Sequence, residues 1–162
     1  MKNKFFKFLI IFVLYSSLCF SAKSYEQFNF NITEVEILEN GNKIKGLKRG
    51  IVSTNEGIFI HADTFIFDKN LNILEANGNV KIEDPLNEYL IYADKITYFK
   101  NKELIITENN SKAIYKNGKT IDAQTFKYNK IQNILNASGD VKIEDKLQDY
   151  KIYANDITYF IN

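Results

Sequence analysis

Apolar and polar residues alternate along most of the chain after Tyr25. The alternation is clear in residues 81–83 and 125–128, where β-branched and aromatic residues take the apolar places. Such a pattern is typical of strands that bury one face. Turn-forming Asn-Gly pairs at 77–78 and 117–118 separate the runs, and helical spacing is confined to the N-terminal segment. The chain is therefore predicted to be all-β, with many short strands.

An eight-residue pattern recurs four times along the chain. It consists of an aliphatic residue, any residue, Ala, any two residues, an apolar residue, any residue and an aromatic residue. The copies begin at Ile60, Ile91, Ile121 and Ile152. The steps between them are 31, 30 and 31 residues, and a fixed period of this size indicates stacked supersecondary units. A longer repeat is also present: the sequence of residues 74–84 recurs 61 residues later, with small changes, at residues 135–145. Because odd and even copies differ slightly, we expect successive copies to face alternate walls.

In each copy the alternation of inward and outward positions shifts by one residue. The Ile and the Ala share one face of a strand, whereas the next apolar position comes three residues after the Ala. A bend or bulge at the intervening pair returns both apolar pairs to the same side. The residue directly after the Ala varies: Asp63, Asp94, Gln124 and Asn155. Because a catalytic carboxylate does not tolerate exchange to an amide, we predict a corner at which a short polar side chain bonds nearby backbone. The less regular residues 28–57 are expected to form capping strands.

Residues 1–24 are predicted to be a secretory signal peptide. Lysines precede an unbroken apolar run over residues 8–15, and small residues follow, so that cleavage after Ser24 or Ser21 fits the pattern. An uncleaved anchor is the alternative, although the run is shorter than the roughly 20 residues that span a bilayer. Cleavage after Ser24 leaves residues 25–162 as one exported domain, changes the formal charge from +1 to −3 and removes Cys19, the only cysteine. That domain must then be stable without a disulfide.

The candidate chemistry is sparse. His61 is the only histidine, and the other copies carry Tyr92, Asp122 or Tyr153 in its place, so a solvated edge position is expected. A metal site needs several convergent ligands. We therefore predict no metal, no cofactor and no enzyme activity, with a hydrolase using paired carboxylates as the catalytic alternative. Because 21 basic residues balance 20 acidic ones, no basic face for nucleic acid is expected.

The apolar face of the four copies allows two interpretations. It can be the packed core of a sandwich. Alternatively, two curved walls can stay partly open and hold acyl chains between them.

Two sequence blocks resemble the OstA-like domain of the lipopolysaccharide-transport proteins LptA and LptC and of the N-terminal part of LptD. Residues 76–82 read Ala-Asn-Gly-Asn-Val-Lys-Ile, and residues 92–98 read Tyr-Ala-Asp-Lys-Ile-Thr-Tyr. A second round over residues 137–159 repeats both blocks, with Asn155 in the place of the Asp. The resemblance covers about residues 58–160. It implies antiparallel strands stacked as a V-shaped β-jellyroll, or β-taco.

The resemblance also implies a function. Such domains form a bridge or carrier in the periplasm that shields the acyl chains of lipid A, and they join end to end through edge strands up to an outer-membrane translocon. The expected lipid contacts are Ile60, Phe65, Phe67, Ile91, Ile96, Tyr98, Ile121, Phe126, Tyr128, Ile152, Ile157 and Tyr159. A structural β-solenoid or adhesin-type domain without lipid binding is the alternative, and hairpin turns within each period argue against it.

The sequence ends at Asn162, just after the aromatic residue of the fourth copy. Two continuations are expected. A truncated sequence points to an LptD-like protein, in which an outer-membrane barrel follows this domain. A complete sequence points to an LptA-like protein whose last strand is an open edge, and a retained anchor would correspond to LptC.

Overall fold

The computed structural model describes residues 28–115 and 117–161. The predicted signal peptide, its cleavage site and the alternative anchor lie outside these residues. Within them, fourteen strands and two 3₁₀ turns follow one another, which confirms the all-β prediction. The strands are β1 Asn29–Ile32, β2 Val35–Leu38, β3 Lys43–Gly46, β4 Gly50–Ser53, β5 Phe59–Ala62, β6 Thr64–Asp68, β7 Ile73–Asp84, β8 Tyr89–Phe99, β9 Leu104–Glu108, β10 Ser111–Tyr115, β11 Thr120–Ala123, β12 Thr125–Asn129, β13 Ile134–Asp145 and β14 Tyr150–Phe160. The 3₁₀ turns are Glu39–Gly41 and Lys100–Lys102.

The strands form two arms that share the four longest strands. β7, β8, β13 and β14 each cross from one arm to the other, and shorter strands fill the remaining places. The first arm has the order β1-β4-β5-β7-β8-β10-β11-β13-β14. The second arm has the order β2-β3-β6-β7-β8-β9-β12-β13-β14. All pairings are antiparallel, so the architecture is the predicted stacked β-jellyroll.

The arms meet at a corner in the middle of the long strands. The register of β7 against β8 shifts between Asn77 and Val80, and β13 shifts in the same way against β14. At this shift two residues of β7, Gly78 with φ 78° and Asn79 with φ 47°, stand opposite the single residue Asp94 of β8. A bulge of this kind bends a strand and raises its twist, so the predicted corner is confirmed. In the second and fourth copies the partner strand supplies the bulge, whereas in the first and third copies the chain breaks into two short strands at the corner.

The polar residue after the Ala of a copy stabilises this corner. Asp63 Oδ2 accepts a hydrogen bond from Asn79 Nδ2 at 2.7 Å, and Gln124 Nε2 donates one to Asp140 Oδ2 at 3.1 Å. The predicted structural role is thus confirmed in these two copies, but the bonded partner is a side chain rather than the predicted backbone group. The reason is that the main chain is already engaged, since the amide of Asp63 donates to the carbonyl of Gly78 at 3.0 Å.

Each copy of the pattern spans both arms. In the first copy, Ile60 and Ala62 lie on β5 of the first arm, and Phe65 and Phe67 lie on β6 of the second arm. The expectation that successive copies face alternate walls is therefore wrong, because the corner falls inside the copy rather than between copies.

The core lies between the two arms. Residues that are partners across neighbouring strands share a face, so the pairing aligns one buried row on each arm. The row of the first arm contains Val52, Ile60, Ile82, Ile91, Ala113, Ile121 and Ile143. The row of the second arm contains Phe67, Leu74, Tyr98, Ile105, Tyr128 and Leu135. The two rows pack against each other as one apolar cluster.

Candidate lipid-binding interior and its mouth

The twelve predicted lipid contacts all lie on the inner faces of the two arms. Nine of them are at most 5% exposed and belong to the continuous core. These nine are Ile60, Phe65, Phe67, Ile91, Ile96, Tyr98, Ile121, Phe126 and Tyr128. The interior is therefore closed and filled by its own side chains in this structure. A role of these residues as lipid contacts stays a prediction.

The remaining three predicted contacts lie on β14, at one end of the stack. Ile152 is 45% exposed, and Ile157 and Tyr159 are half-buried. Among the described strands β14 pairs with β13 alone, so no further strand extends the inner face beyond it. At the opposite end, Val35 and Ile37 on β2 are 42% and 69% exposed. Both ends of the apolar interior thus reach the surface.

The long side opposite the corner is the place where the turns of the two arms face each other. We call this side the mouth. The first arm contributes Glu56, Tyr89, Tyr115 and Lys119 to it. The second arm contributes Tyr98, Lys100, Glu103, Tyr128, Lys130 and Tyr159. Side chains close this side in the structure, in an ionic portion and an aromatic portion.

The ionic portion is a cluster formed by Glu56, Tyr98, Lys100, Glu103 and Lys130. Lys100 Nζ lies 3.2 Å from Glu56 Oε1 and 2.5 Å from Glu103 Oε1. Lys130 Nζ lies 2.8 Å from Glu103 Oε2 and also contacts Glu56. The hydroxyl of Tyr98 donates to Glu103 Oε2 at 2.6 Å. Because Glu56 comes from the β4–β5 turn of the first arm and the lysines come from the second arm, its ion pairs join the two arms.

Burial and pairing act in opposite directions on these charges. The side chains of Lys100 and Lys130 are only 7% and 10% exposed. Burial opposes ionisation of Glu56, but hydrogen bonds and charges from Lys130 and Lys100 outweigh it and hold its pKa below the usual range. Burial also disfavours the charged form of Glu103, yet hydrogen bonds from Lys100, Lys130 and Tyr98 lower its pKa. The pKa of Lys100 is raised, because its carboxylate partners outweigh desolvation. Glu56, Glu103 and Lys100 are therefore ionised at neutral pH.

The aromatic portion of the mouth is built from tyrosine pairs that cross between the arms. The rings of Tyr89 and Tyr128 meet edge to face with centroids 5.3 Å apart, and those of Tyr115 and Tyr159 are 5.2 Å apart. Lys119 Nζ lies 5.4 Å from the centre of the Tyr159 ring. Such pairs contribute beyond their buried area. Together with the ionic portion, they seal the interior along its side.

The hydroxyls of Tyr89 and Tyr128 are buried without a hydrogen-bond partner among the described residues. Their side chains are 3% and 1% exposed. Desolvation raises the pKa of Tyr89, and Tyr128 and Asp84 raise it further. Desolvation also raises the pKa of Tyr128, so both hydroxyls are neutral. Two buried donors that lack an acceptor are unusual in a native fold.

This mouth is not visible in the sequence. Its ionic members are far apart in the chain, because Lys130 follows Glu56 by 74 positions and Lys100 follows it by 44, and no motif connects them. A partial signal existed in the aromatic position that ends each copy. Copy one has Phe67 there, whereas Tyr98 and Tyr128 carry a hydroxyl at the same buried position. A buried tyrosine usually places its hydroxyl near a polar partner.

Other candidate chemistry is peripheral. His61 is half-buried on the outer face of β5, with Nε2 3.1 Å from Glu83 Oε1, rather than fully solvated at an edge as expected. Within residues 28–115 and 117–161, no group of His, Cys, Asp and Glu is arranged to hold a metal ion. In the same residues, no helix has the length and apolar character needed to cross a bilayer.

Comparison with known protein families decides the relationship. The profile of the OstA-like protein family matches residues 27–157. The chain belongs to the OstA-like protein family. Its fold is also similar to a crystal structure of LptH, the LptA-homologous periplasmic component of the conserved lipopolysaccharide transport device from Pseudomonas aeruginosa. That match has a TM-score of 0.63 at 15% identity and covers 83% of this chain and 95% of LptH. No curated protein matches the chain. The OstA-like resemblance noted in the sequence is thus confirmed.

Proposed function

We propose that this OstA-like chain is a carrier module that shelters the acyl chains of lipopolysaccharide between its two arms during transport through the periplasm. The observation that carries the proposal is the continuous apolar interior, which runs between the arms and reaches the surface at both ends. Nine strands per arm at about 4.8 Å spacing give this interior a length of about 38 Å. Family membership and the likeness to the fold of LptH support the proposal.

The hydrophobic effect explains why such a carrier is needed. Each CH₂ group moved from water into an apolar environment contributes about 0.8 kcal/mol. A lipid with several acyl chains therefore does not cross an aqueous compartment unaided. An interior of Ile, Phe and Tyr side chains can surround the acyl chains in place of water, and this needs no chemical reaction. We therefore propose no catalytic role for any residue.

The closed interior has to open to accept a lipid. The arms are continuous at the corner, where the long strands pass from one arm to the other. Across the mouth they are joined by side-chain contacts, such as the Glu56 ion pairs and the Tyr89–Tyr128 contact. Rotation about the corner can therefore separate the arms without breaking strand pairing. Acyl chains would then take the places that the facing side chains occupy in the closed state.

Site-specific photo-crosslinking tests this function directly. A photo-reactive amino acid replaces Phe126 or Ile91 in the full chain, produced in cells that make lipopolysaccharide. The matched controls replace Lys127 and Tyr92, the next residues along the same strands, whose side chains point to the outer faces. We expect lipid adducts, identified by mass spectrometry, at Phe126 and Ile91 and not at the controls. Folded protein with no adduct at either interior position, or with equal adducts at all positions, would contradict the carrier function.

A purely structural module without lipid binding is the second candidate. The observation that favours it is the dense packing of nine of the twelve predicted contacts, which the interior of an ordinary sandwich would also show. The same crosslinking experiment separates the two, since a permanently packed core yields no lipid adduct.

The proposed partners are lipopolysaccharide, other Lpt β-jellyroll domains and an outer-membrane translocon. β14 offers an 11-residue edge, and at the other end β1 and β2 offer two short edges, so strand addition can join modules end to end. We further propose that residues 1–24 are a cleaved signal peptide and that residues 25–162 act in the periplasm. In an LptD-like parent the domain would be associated with the outer membrane.

A further inference from the structure

The two buried lysines of the mouth converge on one carboxylate from the opposite arm. Lys100 contacts Oε1 of Glu56 at 3.2 Å, and Lys130 contacts the other oxygen, Oε2. Glu56 thus bridges two ammonium groups with its two oxygens. A phosphate group can make the same bridging contact and carries more oxygens and more charge than a carboxylate.

The hydroxyls of Tyr89 and Tyr128 belong to the same mouth as this cluster. Burial raises the pKa of Tyr128, and Tyr89, Asp84, Lys130 and Glu103 also act on it, so its hydroxyl lies within electrostatic reach of the ionic portion. Tyr89 faces Tyr128 across the mouth with its ring centroid 5.3 Å away. Neither hydroxyl makes a hydrogen bond of ordinary geometry among the described residues, although Tyr128 and Asp84 both act on the pKa of Tyr89. The Glu56 carboxylate therefore engages the lysines but neither of the two tyrosine hydroxyls.

We propose that Lys100, Lys130, Tyr89 and Tyr128 form a subsite for a phosphate group of an acylated, phosphorylated glycolipid, and that Glu56 occupies the subsite when the arms are closed. The inference rests on the proposed carrier function and specifies which part of the lipid is recognised at the mouth. The three free oxygens of a phosphate monoester can accept from both lysines and from the tyrosine hydroxyls. A carboxylate has one oxygen fewer.

Exchange of Glu56 for phosphate has a mechanical consequence. Glu56 makes ion pairs that join the first arm to the second. A phosphate bound to the same lysines releases these pairs, and the arms lose a contact at the place where the acyl chains have to enter. Headgroup recognition and opening of the interior are then one event, because a ligand shifts an equilibrium toward the state that it binds better.

Binding measurements with matched lipids test the subsite. A labelled lipid A that carries its phosphates is compared with a dephosphorylated lipid A of the same acylation, both in the same neutral detergent, by fluorescence anisotropy with the full chain. Because charge-assisted hydrogen bonds are the strong ones, we expect the phosphorylated lipid to bind about tenfold more tightly. Inorganic phosphate, compared with chloride at equal ionic strength, should weaken binding of the phosphorylated lipid alone.

Variants give the decisive contrast. K130Q should remove most of the preference for the phosphorylated lipid, and Y128F should reduce it by about threefold, while binding of the dephosphorylated lipid is retained. K130R should keep the preference. E56Q should tighten binding of the phosphorylated lipid, because it removes the competing carboxylate. K142Q changes a lysine whose Nζ pairs with Glu144 at 2.9 Å outside the mouth, and should have no effect.

The outcomes separate the two proposals. A cluster with a purely structural role predicts that E56Q and K130Q weaken binding alike, and that result would overturn the subsite. Equal affinity of the two lipids in the wild-type chain would also overturn it while leaving the carrier function intact. Competition by inorganic phosphate without any preference between the lipids would overturn the assignment to a lipid phosphate. Failure of both lipids to bind folded protein would overturn the carrier function together with the subsite.

Discussion

Replacement of Gly78 by alanine tests the physical basis of the corner. Gly78 has φ 78°, and a Cβ atom at this position would lie 2.6 Å from Asp63 Oδ2. The left-handed conformation destabilises an L-residue by about 1–2 kcal/mol. The added methyl group also displaces a carboxylate that accepts hydrogen bonds from Asn79 at 2.7 Å and Arg49 at 3.1 Å. Since Asp63 is partly exposed, loss of these bonds adds about 1 kcal/mol. We expect Gly78→Ala to lower the free energy of unfolding by about 2–3 kcal/mol.

Gly118→Ala is the matched control. Its φ is 80°, yet no atom lies within 4 Å of the added Cβ, so backbone strain of about 1–2 kcal/mol acts alone. Urea denaturation followed by circular dichroism measures both variants. For a urea slope of about 1–3 kcal/mol per M, the extra 1 kcal/mol separates the two midpoints by roughly 0.3–1 M. Equal midpoints would refute the conclusion that close packing against Asp63, in addition to φ, requires glycine in the bulge.

Two further predictions concern the core and the mouth. Ile121→Ala should lower the free energy of unfolding by about 2–5 kcal/mol, because Ile121 is fully buried. Ile152→Ala, at the equivalent position of the fourth copy but 45% exposed, should lower it by less than about 1 kcal/mol, and similar losses in urea denaturation would contradict the closed interior. The folded-state pKa values of Glu56 and Glu103 lie below the ordinary glutamate value of 4.5, so their stabilisation is present above about pH 4.5 and is lost as the pH falls through the folded-state values. The midpoint of urea denaturation should therefore drop less between pH 6 and pH 3 in Glu56→Gln/Glu103→Gln than in the wild-type chain, and parallel drops would show that the cluster contributes nothing.

The sequence predicted the strands, the corner and the inward positions because all three are local in the chain. Strand alternation and the change of phase after each Ala are visible within eight residues. The bulge even has a sequence signature, because Gly and Asn are residue types that readily adopt positive φ. Gly78 and Asn79 both do so here.

The pairing register is not local, and it decided what the sequence left open. Alternation shows which residues face inward but not how far apart the two walls stand, so a closed core and an open groove have the same pattern. The assignment of successive copies to alternate walls was wrong, because the two walls meet at the corner that each copy contains. Only the strand pairing shows that the two halves of one copy belong to different walls. The cluster around Glu56 and Lys130 exists only after the strands between them have been stacked.

The 61-residue repeat sets the length of the domain in fixed steps. From β7 to its equivalent β13, each arm advances by four strands, which at about 4.8 Å per strand corresponds to about 19 Å of interior. Both corners of this interval are made in the same way, by a bulge opposite a continuous strand. Tandem duplication of residues 74–134 would therefore add one complete segment without a new kind of junction. The number of repeats therefore determines the distance that such a protein spans, and gene duplication can change this distance in steps of about 19 Å.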